Sequence, residues 1–272
     1  ESGLLSDYYV GQKLGEIWGY VSDGYYTIDD FVLDDAKRDV WTLKEGVTSI
    51  QGVKVQPGDE KFKDFDGDGV ISSGAGTVSD PGDRKIIGNN RARFQFGANI
   101  GATYKGFSLD VRLQGVGKRD YWLSGSSIFP FAGSGSADAV FQPLFSNQTD
   151  YWTAKSYDPE NSDYMVAKNP NAKLFRIYDQ GNNVGSNTRV SDKYLQNAAY
   201  LRVKNITLGY TLPRHWVKHV LMESARIYVS VENLGTISNL PKGYDPEGNT
   251  NNAIVWDYPY YRTISIGANI TF

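Results

Sequence analysis

The chain has 272 residues, with 28 Lys and Arg, 31 Asp and Glu, 2 His and no Cys. A net charge of −3 leaves no basic surplus for phosphates, which argues against nucleic acid as a partner. The missing thiols exclude disulfides, thiolate metal centres, iron–sulfur clusters and cysteine nucleophiles, and they suit an oxidising compartment.

The length admits one large domain or two ordinary ones. With 14 % aromatics, 29 Gly and 2 Met, the composition favours strands and turns over helices. No apolar run approaches the roughly 18 residues of a membrane helix. Strands of a membrane barrel escape that test, because only every second residue faces lipid. Glu1 is not an initiator Met, and no leader is recognisable, which predicts a processed product or an excised piece.

In chain order, residues 7–21 are aromatic-rich but irregular (Tyr8, Tyr9, Trp18, Tyr20) and read as a weak first strand. A long link, 22–90, follows. It carries Asp64-Phe-Asp66-Gly-Asp68-Gly-Val70-Ile71, the first half of an EF-hand loop. Asp64, Asp66 and Asp68 hold positions 1, 3 and 5, Gly69 makes the turn, and the Val70 carbonyl falls at position 7. The expected ion is a structural Ca²⁺. Position 12 is Ala75 rather than Glu, so a later acid, Asp80 or Asp83, is the candidate replacement. An Asp/Gly turn without metal uses the same residues.

From Arg93 to Tyr104 the even positions are Phe94, Phe96, Ala98, Ile100, Ala102 and Tyr104, and every odd one is polar or Gly. After the two-residue hairpin connection Lys105-Gly106, Phe107, Leu109, Val111 and Leu113 oppose Ser108, Asp110, Arg112 and Gln114. The long link 121–197 holds aromatics suited to stacking on sugar rings, Tyr151 and Trp152 among them. Gly133-Ser-Gly-Ser-Ala137 resembles a phosphate loop only superficially.

Ile206, Leu208, Tyr210 and Leu212 next alternate with Asn205, Thr207, Gly209 and Thr211. The turn 213–224 contains His215 and His219, but Trp216 stands where a zinc-protease helix needs Glu, so an amphipathic turn with Trp216 at a membrane interface is expected. Ile227, Val229 and Val231 form the next alternating set. The link 235–261 adds Trp256 and Tyr260 as further candidate substrate contacts. Ile264, Ile266, Ala268, Ile270 and Phe272 end the chain, and the terminal Phe looks like a barrel-assembly signal.

A soluble sandwich also alternates. Two features favour a membrane barrel. The second face is rich in Asn, Gly, Gln, Ser and Thr, as in a hydrated lumen, and the strands run to about 9–12 residues, near bilayer length. The expected strands lie near 7–21, 91–104, 107–120, 198–212, 225–234 and 262–272. Their connections alternate between long and short, as the extracellular loops and periplasmic turns of outer-membrane barrels do. Six strands are too few to close a barrel alone, so a larger one is implied.

The stretch Tyr200-Leu-Arg-Val-Lys-Asn-Ile-Thr-Leu-Gly-Tyr-Thr-Leu-Pro213 resembles a signature of the SusC/RagA-type TonB-dependent outer-membrane transporters of Bacteroidetes. Further blocks match in order: Gly15-Glu-Ile-Trp-Gly-Tyr20, Pro57-Gly-Asp59, the Asp64–Ile71 run, Asp83-Arg-Lys-Ile-Ile-Gly-Asn89, Val231-Glu-Asn-Leu234, Tyr244-Asp-Pro-Glu247 and Tyr258-Pro259. The resemblance spans nearly residues 1–272 and is weakest in 121–197.

That resemblance implies an all-β fold, an antiparallel transmembrane β-barrel segment. It would supply about six C-terminal strands of a 22-stranded barrel with long extracellular loops. It also implies an upstream plug and Ton box that couple to TonB, a SusD-like surface lipoprotein as lid, and oligosaccharide or peptide as cargo. The expected function is nutrient import across the outer membrane, with no enzyme activity. The alternative is a soluble β-rich carbohydrate-binding module with the aromatics as its platform.

Overall fold

The computed structural model describes residues 3–34, 37–125, 128–130, 143–178, 182–248 and 260–272. Trp256, the Gly133–Ala137 loop and Tyr258-Pro259 fall outside them. The chain divides into two compact units. A loop unit holds Glu1–Asn90 and Trp122–Leu195, and a strand unit holds Arg91–Tyr121, Gln196–Asn249 and Ile254–Phe272.

The loop unit is built from short strands: β1 (Glu16–Gly19), β2 (Ser22–Tyr25), β3 (Phe31–Asp34), β4 (Lys37–Leu43), β5 (Ser49–Ile50), β6 (Glu60–Phe62), β7 (Val70–Ile71) and β8 (Lys85–Asn89). They pair as β1–β8, β2–β6, β3–β4 and, in parallel, β5–β7. Short helix α1 (Asn182–Asn187) belongs to the same unit. Its core draws Tyr20 from the 7–21 segment, Tyr26, Phe31, Ile50, Phe62 and Ile71 from the first long link and Trp152, Ala154, Met165 and Ala172 from the second. Two links that read as separate loops therefore share one interior.

In the strand unit, β9 (Gln95–Tyr104), β10 (Phe107–Val116), β13 (Tyr200–Thr211), β14 (Ser224–Ser238) and β15 (Thr263–Thr271) form one five-stranded sheet, ordered β15-β14-β13-β10-β9. Every pairing is antiparallel. Short strands β11 (Asp120–Trp122) and β12 (Leu195–Asn197) flank the second long link. The β9–β10 hairpin turns on Lys105-Gly106, both at positive φ, as a type I′ turn requires. A four-residue helix, α2 (Arg214–Val217), lies between β13 and β14.

Five of the six expected strands are present. The first is not: residues 7–21 contribute only β1, paired with β8. Gly11 and Gly15 sit at positive φ there, which breaks the extended chain a long strand needs.

The register lines the apolar residues up in rows across the sheet. Ile100, Val111, Ile206, Val231 and Ile264 make one row, and Ala102, Leu109, Leu208, Val229 and Ile266 the next. Strand alternation puts these rows on one face. The other face carries Gly101, Asp110, Thr207, Ser230 and Ser265, then Asn99, Arg112, Asn205, Glu232 and Thr263. The apolar rows are open to the surroundings: Ile264 is 67 % exposed and Ile266 78 %. Leaving them in water forfeits about 1.5–3 kcal/mol per large side chain that burial would return.

Candidate functional site

On the polar face, side-chain hydrogen bonds within and between strands replace hydrophobic packing. Asn205 Nδ2 donates to Ser230 Oγ at 2.8 Å, and Thr207 Oγ1 donates to Asn205 Oδ1 at 2.9 Å. Arg226 Nη2 donates to Ser108 Oγ at 2.8 Å. The guanidinium lies where a Cβ on Gly209 would stand, 2.6 Å from that position, so the Gly of Leu208-Gly209-Tyr210 keeps its path clear.

Where β13 meets the β14–β15 link, the charges concentrate. Arg202 is nearly fully buried. Its Nη2 pairs with Asp245 Oδ2, its Nη1 lies 3.0 Å from Glu247 Oε2, and its Nε donates to Thr236 Oγ1 at 2.7 Å. Lys204 Nζ is 2.7 Å from Glu247 Oε2. Between the two acids, the Pro246 carbonyl accepts the Tyr121 hydroxyl at 3.2 Å. Three consecutive residues of the link are thus fastened to the strands. The two sequence blocks Tyr200–Lys204 and Tyr244–Glu247 meet here as opposite charges.

Beside this clasp lies a cavity of about 740 Å³, lined among others by Gln95, Asn99, Arg112, Gln114, Tyr200 and Tyr260. Arg112 Nε donates to Asn99 Oδ1 at 3.2 Å. The Tyr260 ring sits 4.7 Å from the Arg202 guanidinium carbon, in cation–π range. Amides, guanidinium groups and tyrosines together suit a ligand rich in hydroxyls or carboxylates.

The expected stacking residues separate. Tyr260 is half-exposed and lines the cavity. Tyr151 is half-buried, with its backbone bridged to Leu174 in the loop unit. Trp152 corrects the expectation of an exposed platform, because it is 1 % exposed in the loop-unit core. A Cβ on Gly58 would come within 2.5 Å of its ring, and Gly58 has φ +94°. The Pro57-Gly-Asp59 block is thereby explained as packing. Asp59, also buried, accepts the Tyr178 hydroxyl and Asn187 Nδ2, each at 2.7 Å.

The carboxylates of Asp64 and Asp66, in the acidic turn between β6 and β7, and of Asp83, in the connection between β7 and β8, offer oxygens within 4.8 Å of one another. Asp83, one of the two candidate replacements, joins the group, whereas the Asp68 carboxylate is outside it. Asp64 accepts the Gly67 and Gly69 amides at 2.6 and 2.8 Å, and those bonds hold its carboxyl below the usual range. Buried Asp83 accepts Phe65 N and Ser72 N, both at 2.8 Å. The acids already serve as turn acceptors, so the residues fit calcium only with further oxygens from carbonyls or water.

Sequence reasoning missed Glu60. Its carboxylate is fully buried on β6, and burial pushes it up to about 8 against the opposing pull of the Lys193 charge and of the Ser22 and Ser191 side chains.

No family model matches the chain. Among curated proteins it is 28 % identical to TonB-dependent receptor P3 of Formosa agariphila, over 96 % of the chain and 22 % of that receptor. It is 26 % identical to TonB-dependent receptor SusC of Bacteroides thetaiotaomicron, over 79 % of the chain and 18 % of SusC. The chain is a relative of the TonB-dependent receptors. It spans about a fifth of the length of these relatives. Among solved structures it resembles the RagAB peptide transporter, with a TM-score of 0.54 and 20 % identity over 96 % of the chain and 23 % of that structure's chain. A RagAB peptide importer in an open-open state gives a TM-score of 0.50 at 18 % identity, over 94 % of the chain and 22 % of the other. At that identity the likeness concerns the fold alone, and it covers less than a quarter of each of those chains.

Proposed function

We propose that the chain is the C-terminal wall of a TonB-dependent outer-membrane importer for oligosaccharide or peptide. The carrying observation is the sheet with exposed apolar rows on one face and a hydrogen-bonded polar face behind them. In hydrocarbon the rows are satisfied, and the polar face lines a wet lumen. The long connections then lie outside the cell and the short ones in the periplasm. Import would proceed by cargo entering past the cavity at Tyr260 under a SusD-like lipoprotein lid, with TonB supplying the energy. Calcium at Asp64, Asp66 and Asp83 would stiffen the loop unit. The exposed rows speak against the alternative of a soluble carbohydrate-binding module.

The test is deletion of the gene encoding the chain, with growth followed on single glycans and on peptides, and with cell fractionation of the tagged wild type. Loss of growth on one cargo class, with the protein in the outer-membrane fraction, is expected. A product in the soluble fraction, or growth unchanged on every cargo, overturns the reading.

A further inference from the structure

Resting on that barrel reading, we propose that the connection between β13 and β14, residues 212–223, is an amphipathic foot that docks on an anionic phospholipid surface. Strand direction fixes which end of the sheet it occupies. Tyr104 pairs with Phe107, Phe107 with Tyr210, and Ser224 with Thr271. The 105–106 hairpin, the 212–223 connection and Phe272 therefore share one end, just beyond the last apolar rows. That end is lined with exposed large side chains: Tyr104, Phe107, Trp216, Val220, Leu221 and Phe272. Among the described residues of that end, the exposed basic side chains are Lys105, Arg214 and Lys218, against one exposed acidic side chain, Glu223. Apolar groups beside a basic surplus match the boundary between acyl chains and phosphate headgroups.

The backbone supplies a second reason. Helix α2 runs into a 3₁₀ turn, Lys218–Val220, which closes with Met222 N donating to Val217 O at 3.2 Å. This is a Schellman-type cap, and its left-handed residue is ordinarily Gly. Here it is Leu221, at φ 60° and ψ 24° and 87 % exposed. In water that choice is unfavourable twice, through the strained backbone of a branched side chain and through the exposed isobutyl group. Contact with lipid removes the second penalty and gives the side chain a use.

The experiment places nitroxide labels on the full-length protein, in a cysteine-free background, reconstituted in phosphatidylcholine vesicles with or without phosphatidylglycerol. Collision with oxygen and with a water-soluble nickel chelate is read at Val220→Cys, with Ile266→Cys as the wall control and Ser79→Cys as the water control. Oxygen preference at positions 220 and 266 is expected. Arg214→Glu with Lys218→Glu should lower that preference at 220 by about twofold, and only with phosphatidylglycerol present. If 266 reports lipid while 220 behaves like 79, the foot is wrong and the barrel stands. If 266 reports water, the barrel reading falls and the foot with it. Shielding of 220 from both reagents indicates a protein partner and overturns the proposal. Leu221→Gly gives an independent readout. It should raise the melting temperature in detergent and weaken oxygen preference at 220 in the anionic vesicles; an equal gain in stability in both media overturns lipid contact.

Discussion

Phe62 and Ile71 in the loop unit are 1 % and 0 % exposed, whereas Ile264 and Ile266 in the strand unit are 67 % and 78 % exposed. The loop unit gathers its apolar side chains around Trp152 and satisfies buried acids such as Asp59 and Asp83 with local donors. The strand unit turns its apolar rows outward and keeps its charged clasp within. Each arrangement suits one solvent, water for the first and hydrocarbon for the second. Substitutions that swap the two environments test the contrast directly.

The largest effect is expected at the clasp. Arg202→Ala removes the ion-pair partner of Asp245 and leaves Glu247 with Lys204. Breaking a buried ion pair from one side costs about 3–5 kcal/mol, and the partial exposure of both acids points to the lower end. Unfolding from detergent or vesicles should show that loss. Restoration by Arg202→Lys would be partial, because an ammonium cannot reach Asp245, Glu247 and Thr236 together. A loss below about 1 kcal/mol would mean that the clasp is solvated like a surface pair.

Next comes the rows' solvent. Ile266→Arg on a water-exposed surface would change stability by no more than about 0.5 kcal/mol. On a lipid-facing row it costs about 2–4 kcal/mol near the bilayer midplane. Ser265→Arg, on the opposite face, is the control and should fall well short of it. Equal, small effects from the two would place both faces in water.

These two tests also mark what could be read in advance. The rows were legible because alternation is local: each strand of nine to fifteen residues repeats the pattern several times, and Lys105-Gly106 announces its own turn. The loop unit was not legible, because its strands run from two to seven residues and carry too few repeats to show a period. Its core joins Tyr26 to Trp152, far apart in the chain, and Trp152 reads as an exposed aromatic until Gly58 is seen pressed against it. The clasp did leave a signal that went unused. Arg202 and Lys204 stand two apart, and so do Asp245 and Glu247, matched spacings of opposite charge in two signature blocks. The fastened geometry depends on an irregular register beside Lys204 and Asn233, where Asn233 takes φ 51°, and residue type alone does not place such an irregularity.

Glu60 sharpens the contrast from the loop-unit side. Its carboxyl titrates near 8 in the folded chain, against an ordinary 4.5. Between those values the unfolded chain has released a proton that the folded one retains, so stability is full below the window and falls as pH rises through it. Glu60→Gln removes the titration. Its melting temperature should exceed that of the wild type by several degrees at about pH 9 and match it at about pH 5. Parallel pH profiles for the two proteins would show that Lys193 neutralises the carboxylate after all.

The smallest effect is expected at the acidic turn, because its carboxylates are already engaged. Asp64 and Asp83 accept backbone amides that bind the turn without help from an ion, so removing calcium should not unravel it. Asp66 is the informative position, since it accepts the Asp68 amide at 3.1 Å, longer than the amide bonds to Asp64 and Asp83, and belongs to the three-carboxylate group. If calcium binds, Asp66→Ala should lower the melting temperature by about 1–3 °C in millimolar calcium and by less in chelator, following the linkage between binding and folding. If it loses the same amount in both, these acids serve the turn alone, and the rigidity of the loop unit comes from its buried aromatic core.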